Sequence, residues 1–113
     1  MLLDRFRLDD RVAVVTAAGR GIGAASALAL AECGADVVIA ARTVDQLDEV
    51  AAQVKERGRR AVVVPADLSD LDAVTGLVDT AVSELGRLDI VVNNVGGAIP
   101  KPFLETKIGR AHV

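Results

Sequence analysis

Four short apolar segments recur along the chain, and longer amphipathic segments separate them. Their residues are mostly β-branched and do not alternate with polar ones, which is typical of strands covered on both faces. The four segments are residues 12–15, 37–40, 61–64 and 90–92. They predict four strands of one buried sheet.

The segments between these strands have helical periodicity and recognisable ends. The first covers about residues 21–33, the second begins with the capping-box pattern T-V-D-Q at 43–46, and the third follows Asp70 and stops at Gly86. The apolar face of the third consists of Leu71, Val74, Leu77, Val78, Ala81, Val82 and Leu85. Strands that alternate with helices form βαβ units with right-handed crossovers. The sequence therefore predicts an α/β fold with a doubly wound parallel sheet.

Composition narrows the class of protein. The 113 residues suit one domain at most, and 51% hydrophobic with 26% charged residues is typical of a globular chain. A net charge of −3 and scattered arginines argue against nucleic acid or anionic membrane as partners. No apolar run is long enough to cross a membrane or to act as a signal peptide. The single cysteine, Cys33, excludes a disulfide framework, so we expect a cytoplasmic protein and a small buried thiol.

A glycine-rich segment lies between the first predicted strand and the first predicted helix. Its sequence, G-R-G-I-G-A at 19–24, fits the dinucleotide-binding pattern G-x-G-x-x-A. Glycine is needed where a turn requires positive φ or where a side chain would block a phosphate, and the following helix directs free N–H groups at that phosphate. The alternative is an ordinary strand-to-helix turn. Three glycines in this context favour a dinucleotide site.

Three motifs together identify a resemblance to the short-chain dehydrogenases/reductases. The segment T-A-A-G-R-G-I-G at 16–23 resembles their T-G-x-x-x-G-I-G loop, D-L at 67–68 resembles their adenine-contacting pair, and N-N-V-G at 93–96 resembles N-N-A-G. The motifs stand in the family's order over roughly residues 8–106. Ala17 and Val95 depart from the family pattern, and Ala17 allows the turn less backbone freedom than glycine. The alternative is a methyltransferase-like or other glycine-loop fold. In such a fold the D-L and N-N-V-G motifs would be coincidental.

The resemblance implies a Rossmann fold with strand order 3-2-1-4 and assigns roles to its motif residues. The glycine loop would face the pyrophosphate and the adjoining ribose. Asp67 would accept a hydrogen bond from the adenine amino group and Leu68 would offer its backbone. Asn93 and Gly96 would line the adenosine ribose, and Asn94 would brace the central strands.

The end of the second strand decides between NAD and NADP. A carboxylate there accepts from a ribose 2′-hydroxyl, whereas a 2′-phosphate needs cations and is repelled by an acid. The chain has A-A-R-T at 40–43, while Asp36 lies at the other end of the strand and Asp45 within the next helix. Arg42 and Arg20 therefore favour NADP over NAD. The alternative for Arg42 is a solvated residue at the start of a helix.

The resemblance also implies residues that the sequence does not contain. The family uses a Ser-Tyr-Lys set with a Y-x-x-x-K segment as its acid/base machinery, and this chain has no tyrosine. We therefore assign no catalytic residue and no metal ligand. The candidate cofactor-binding residues are Thr16, Gly19, Arg20, Gly21, Ile22, Gly23, Arg42, Asp67, Leu68, Asn93, Asn94 and Gly96.

The expected organisation is a partial NAD(P)-binding domain over residues 1–106, truncated after the fourth strand. Residues 107–113 do not resemble the family and are similar to the translation of a sequencing-adapter oligonucleotide; the alternative is a genuine short polar tail. The chain is then the N-terminal part of an oxidoreductase interconverting an alcohol and a carbonyl, with homo-oligomerisation expected of the full-length parent. A self-standing, non-catalytic dinucleotide-binding module is the alternative. Because the fourth strand would be an exposed hydrophobic edge, we expect the 113 residues alone to be marginally stable or insoluble.

Overall fold

The computed structural model of the chain describes residues 5–94. Strands and helices alternate throughout this part, as the hydrophobic pattern predicts. The elements in chain order are β1 (Val12–Thr16), α1 (Gly21–Glu32), β2 (Asp36–Ala41), α2 (Val44–Glu56), β3 (Ala61–Pro65), α3 (Leu71–Leu85) and β4 (Ile90–Val92). The bounds of each strand lie within one residue of the predicted ones.

The four strands form one parallel sheet in the order β3-β2-β1-β4. Val14 in the centre of β1 is in register with Val38 of β2 on one side and with Val91 of β4 on the other. The order reverses between β1 and β4, because the chain first adds strands on one side of β1 and then crosses to the other. The predicted 3-2-1-4 topology is confirmed.

Alternate residues of the central strands build two separate cores. On one face, the strand residues that include Val15 and Ile39 pack against α1 and α2. On the other face, Val14 and Val38 pack against α3. Every residue of β1 is buried, whereas β3 and β4 are only partly covered. The prediction of strands covered on both faces is therefore correct for β1 and β2 and wrong for the outer strands.

The apolar face of α3 is covered over only part of its width. Leu77 and Ala81 are buried against the sheet. Val78 and Val82, which the periodicity places on the same face, are 41% and 52% exposed, and Val91 on β4 is 60% exposed. Among the described residues β4 is the last strand on its side of the sheet, and the exposed Val91 agrees with the hydrophobic edge that the sequence predicts there, whereas the exposure of Val78 and Val82 was not predicted.

Two local expectations need correction. Thr43 is the N-cap of α2, but its side chain makes no capping hydrogen bond, so the capping-box prediction is wrong. Cys33 follows α1 as its C-cap and is half-buried rather than fully buried. The glycine that follows it, Gly34, has φ +107, a conformation that favours glycine and turns the chain into β2.

The amino ends of the strands carry charged residues that pair across the sheet. Asp36 at the start of β2 is 2% exposed, and its Oδ2 accepts from the Arg60 Nε at 2.9 Å. Arg59 approaches the same carboxylate at 3.1 Å. Asp89 before β4 accepts from the Val12 backbone N–H at 2.9 Å and from the Arg87 guanidinium at 2.7 Å. The ion pairs of Asp36 link β2 to the residues before β3, and the hydrogen bond from Val12 to Asp89 links β1 to the residue before β4.

Candidate cofactor site

The carboxyl ends of the four strands bring the predicted site residues to one edge of the sheet. The glycine loop follows β1, Arg42 follows β2, Asp67 is the second residue after β3 and Asn93 follows β4. In open α/β sheets, ligands bind outside the carboxyl ends of the strands where the strand order reverses. That position lies between β1 and β4 here, next to the glycine loop.

The loop after β1 uses backbone conformations that few side chains tolerate. Gly21 has φ +59, as a glycine in this position allows. A Cβ at Gly23 would collide with the carbonyl oxygen of Ala17, so the third glycine is required for the close approach of α1 to the end of β1. Ala17 itself has φ +51. Ala17, one of the two departures from the family pattern, therefore occupies a left-handed conformation that favours glycine.

The first turn of α1 is left open toward the loop. Its N-cap, Arg20, is extended and forms no side-chain capping bond, and the turn contains no acidic residue. In contrast, α2 carries Asp45 in its first turn, and α3 is capped by Asp70. Free N–H groups and the positive end of the helix dipole make such a terminus a suitable site for a phosphate. These features fit the pyrophosphate of a dinucleotide.

Thr16 ties the end of β1 to the residues that follow β4. Its hydroxyl lies 3.0 Å from the Asn93 Oδ1 and accepts from the Asn94 backbone N–H at 2.9 Å. The Asn94 Nδ2 is buried and has no hydrogen-bond partner among the residues that the structure describes. Thr16 and Asn94 thus link the two strands on either side of the reversal point.

Gln46 contributes a contact with the glycine loop that the sequence reading missed. A Cβ at Gly19 would lie 2.8 Å from the Gln46 Oε1 and 3.1 Å from its Cβ. The capping-box pattern predicts that Gln46 helps to cap α2, yet its side chain packs over the loop instead. A side chain at Gly19 would therefore displace the Gln46 amide from the loop and crowd its Cβ, a contact that only the tertiary structure could indicate.

Arg42 and Asp67 meet across the ends of β2 and β3. The Arg42 Nη2 donates to the Asp67 Oδ1 at 3.2 Å, and both side chains are mostly exposed, 75% and 60%. Ser69 donates to the same oxygen through its backbone N–H at 3.0 Å and its hydroxyl at 2.7 Å. These bonds from Ser69, followed by that from Arg42, hold the pKa of Asp67 below its usual range. Asp67 therefore carries a negative charge at neutral pH.

The remaining site residues differ in their surroundings. Arg20 is exposed, and Ile22 is 78% exposed beside the open turn of α1. The Leu68 side chain packs against the core on the α3 face. Gly96 lies outside the described residues, as does the predicted tail at 107–113.

Two further properties concern residues 5–94. No cluster of three or more His, Cys, Asp or Glu side chains in this range is arranged to hold a metal ion. None of the helices found there has the length and apolar composition needed to cross a bilayer.

The fold and the glycine loop define a Rossmann-type dinucleotide-binding domain, and sequence comparison places it in a family. Residues 11–111 match the short chain dehydrogenase family. An uncharacterized oxidoreductase of Mycobacterium tuberculosis is 57% identical over 106 residues, which cover 94% of this chain and 40% of that protein. The chain belongs to the short-chain dehydrogenase/reductase family of oxidoreductases.

Solved structures of the family superpose closely on this chain. L-sorbose reductase from Gluconobacter frateurii, complexed with NADPH and L-sorbose, has a TM-score of 0.77 and 35% identity; the match covers 93% of this chain and 40% of that one. Carveol dehydrogenase from Mycobacterium avium, in complex with NAD, has a TM-score of 0.77 and 33% identity, over 91% of this chain and 42% of that one. The chain thus spans about 40% of the length of the relatives it matches.

Proposed function

We propose that the chain is the cofactor-binding part of an NADP(H)-dependent oxidoreductase that interconverts an alcohol and a carbonyl. The family membership supports the reaction class, and the glycine loop at the open end of α1 supports dinucleotide binding. The nicotinamide would supply the hydride. The chain contains no tyrosine, so in this proposal the proton donor belongs to sequence beyond the 113 residues.

The observation that carries the choice of NADP is Arg42 at the end of β2, with alanines at positions 40 and 41. A guanidinium matches a phosphate through two parallel hydrogen bonds, and an acid at this place would repel it. Asp67 is the carboxylate that contacts Arg42, but it lies after β3. Relatives have been solved with NADPH and with NAD, so this choice depends on the chain's own residues.

A titration of the Arg42→Ala variant tests the cofactor proposal. We expect the Kd for NADPH to rise about 10- to 100-fold, as the loss of a charge-assisted hydrogen bond implies. The Kd for NADH should change by less than about threefold, because NADH has no 2′-phosphate. The measurement is isothermal titration calorimetry on the complete protein encoded at the source locus.

The matched control is Arg7→Ala. Arg7 also forms an exposed ion pair, with Asp9 at 2.8 Å, but it precedes β1 and is distant from the carboxyl edge in the sheet. This variant should leave the Kd values for both cofactors unchanged. Equal binding of NADH and NADPH by the native protein, or an unaltered preference in Arg42→Ala, would refute NADP dependence.

The second candidate is a self-standing dinucleotide-binding module without catalysis. It would account for the glycine loop and the open first turn of α1 without requiring a catalytic tyrosine. Sequencing the source DNA past the codon for Thr106 separates the two proposals. An open reading frame with a Y-x-x-x-K segment supports the oxidoreductase, together with NADPH oxidation in the presence of ketones or aldehydes. A genuine stop after Val113 favours the module.

A further inference from the structure

The two oxygens of the Asp67 carboxylate have unequal surroundings. Oδ1 receives three hydrogen bonds, from the Ser69 backbone N–H, from the Ser69 hydroxyl and from the Arg42 Nη2. Oδ2 receives none from any residue between 5 and 94. The two oxygens of a carboxylate share about four acceptor sites, so Oδ2 keeps its capacity to accept although Oδ1 is crowded. Ser69 therefore holds the carboxylate in one orientation and leaves one oxygen open.

The Arg42 guanidinium likewise has unused hydrogen-bonding capacity. One of its five N–H groups bonds to Asp67, and the others have no partner within the described part of the chain. The backbone sets the spacing of the two loops, because the Ala66 N–H donates to the Ala41 carbonyl at 2.9 Å. An open acceptor and open cationic donors consequently lie side by side after β2 and β3.

We propose that Ser69 is a positioning residue for cofactor selection. By donating two hydrogen bonds to Asp67 Oδ1, Ser69 orients Oδ2 toward an amino donor. It also fixes the carboxylate that Arg42 contacts, so that the guanidinium is positioned for an anion. This inference depends on the proposed function. An adenosine 2′-phosphate offers both complementary groups, an amino donor on the base and a phosphate on the ribose. Recognition of the two groups is then coupled through one carboxylate, and the serine acts without touching the ligand.

The Arg42–Asp67 pair contributes to binding through the orientation of Arg42 more than through the strength of the ion pair. An exposed ion pair such as Arg42–Asp67 contributes little to stability, so it does not hold Arg42 against a phosphate. Its value is that a long, flexible side chain loses less conformational entropy on binding when it is already held near its final position. Two hydrogen bonds from one serine give Asp67 the fixed position that such a tether needs.

The test compares Ser69→Ala with Ser69→Thr and Asp70→Ala in the complete protein. Ser69→Thr keeps the hydroxyl, and Asp70→Ala removes the side-chain cap of α3 without touching Asp67. The three probes are NADPH, NADH and the hypoxanthine analogue of NADPH, which lacks the amino donor. Unfolding by urea is measured alongside to compare the stability losses of the variants.

Ser69→Ala should raise the Kd for NADPH about fivefold and reduce the preference of NADPH over its hypoxanthine analogue, consistent with one lost hydrogen bond. Its preference for NADPH over NADH should also fall. Ser69→Thr should stay within about twofold of the native protein, and Asp70→Ala should lower stability while leaving all three Kd values unchanged.

Equal effects of Ser69→Ala and Asp70→Ala on binding would overturn the inference, since Ser69 would then act only through the helix start. The same holds if Ser69→Ala weakens NADPH and the hypoxanthine analogue by equal factors. Failure of the proposed function is a separate result: the native protein would bind NADH as tightly as NADPH. The comparison of adenine with hypoxanthine would still decide the role of Ser69.

Discussion

The charged residues at the two edges of the sheet differ in burial and in how fully their hydrogen bonds are satisfied. At the amino edge, Asp36 and Asp89 are paired with arginines and with backbone N–H groups, and Asp36 is almost completely buried. At the carboxyl edge, Arg42 and Asp67 meet in an exposed pair, each with unused hydrogen-bonding groups. The first α-helical turn at this edge is uncapped as well.

The difference separates residues that hold the sheet together from residues that are available to a ligand. A saturated, buried carboxylate has its hydrogen bonds inside the protein and stabilises the fold. An exposed pair with open donors contributes little to stability and can exchange its partners at low cost. Substitutions at the two edges should therefore have separable effects on unfolding and on cofactor binding.

The largest effect is expected for Gly23→Ala at the carboxyl edge. The new methyl group would collide with the Ala17 carbonyl oxygen, and neither backbone can move freely. We expect a loss of about 3 kcal/mol in the free energy of unfolding, at the upper end of overpacking costs. Binding of NADPH should weaken as well, because the collision displaces the start of α1 from the loop. Urea unfolding and calorimetric titration measure the two effects.

Gly76→Ala is the matched control for this substitution. Gly76 lies within α3, and nothing lies within 4 Å of a Cβ built there. Replacing a helical glycine with alanine should raise stability by up to about 1 kcal/mol. If Gly23→Ala behaved like Gly76→Ala, the close approach of α1 to the loop would not be what requires a glycine.

A smaller effect on stability, without an effect on binding, is expected for Asp36→Ala at the amino edge. The change leaves Arg59 and Arg60 without their carboxylate, and we expect a cost of about 2 kcal/mol because Arg60 can still reach water. Asp79→Ala, at an exposed site in α3, should change the free energy of unfolding by less than about 0.5 kcal/mol. A changed preference of Asp36→Ala for NADPH over NADH would show that the amino edge also affects cofactor binding, against this prediction.

Asp36 should also make the free energy of unfolding depend on pH. Burial raises the pKa of Asp36, but the hydrogen bonds from Arg60 and the charges of Arg59 and Arg60 outweigh it and hold the pKa below its usual value. The unfolded chain then binds the proton more readily, so this contribution is complete above about pH 4 and is lost as the pH falls below it. In Asp36→Ala that part of the acid-induced loss should disappear from unfolding curves recorded between pH 5 and 2.5.

The smallest effect is expected for Ala17→Gly in the cofactor loop. A left-handed conformation costs a non-glycine residue about 1 kcal/mol, and glycine recovers most of this while adding entropy to the unfolded chain. The net gain in the free energy of unfolding should be about 0.5 kcal/mol. The neighbouring Ala18→Gly, at a fully buried position without positive φ, should instead lower stability. A destabilised Ala17→Gly would mean that the alanine methyl contributes packing that outweighs the strain.

Most of the fold could be predicted because each element has a local signal. β1 and β2 are continuous β-branched runs, and α3 ends at Gly86, whose φ of +86 closes the helix as the glycine predicts. The exposure of Val78 and Val82 could not be read from periodicity, since a hydrophobic face does not reveal how much of it a neighbouring element covers. Likewise, the pattern at 43–46 predicted a capping box, but Thr43 forms no capping hydrogen bond and the Gln46 side chain packs against Gly19 instead.

The sequence by itself determined the order of strands and helices, the glycine loop and the absence of an acid after β2. Each of these depends on residues that are neighbours in the chain, where turn chemistry and hydrophobic period act directly. Only the tertiary structure decided the positive φ of Ala17, the pairing of Arg42 with Asp67, and the orientation that Ser69 imposes on that carboxylate. Arg42 and Asp67 are 25 positions apart, and they meet because parallel strands bring their carboxyl ends to one edge.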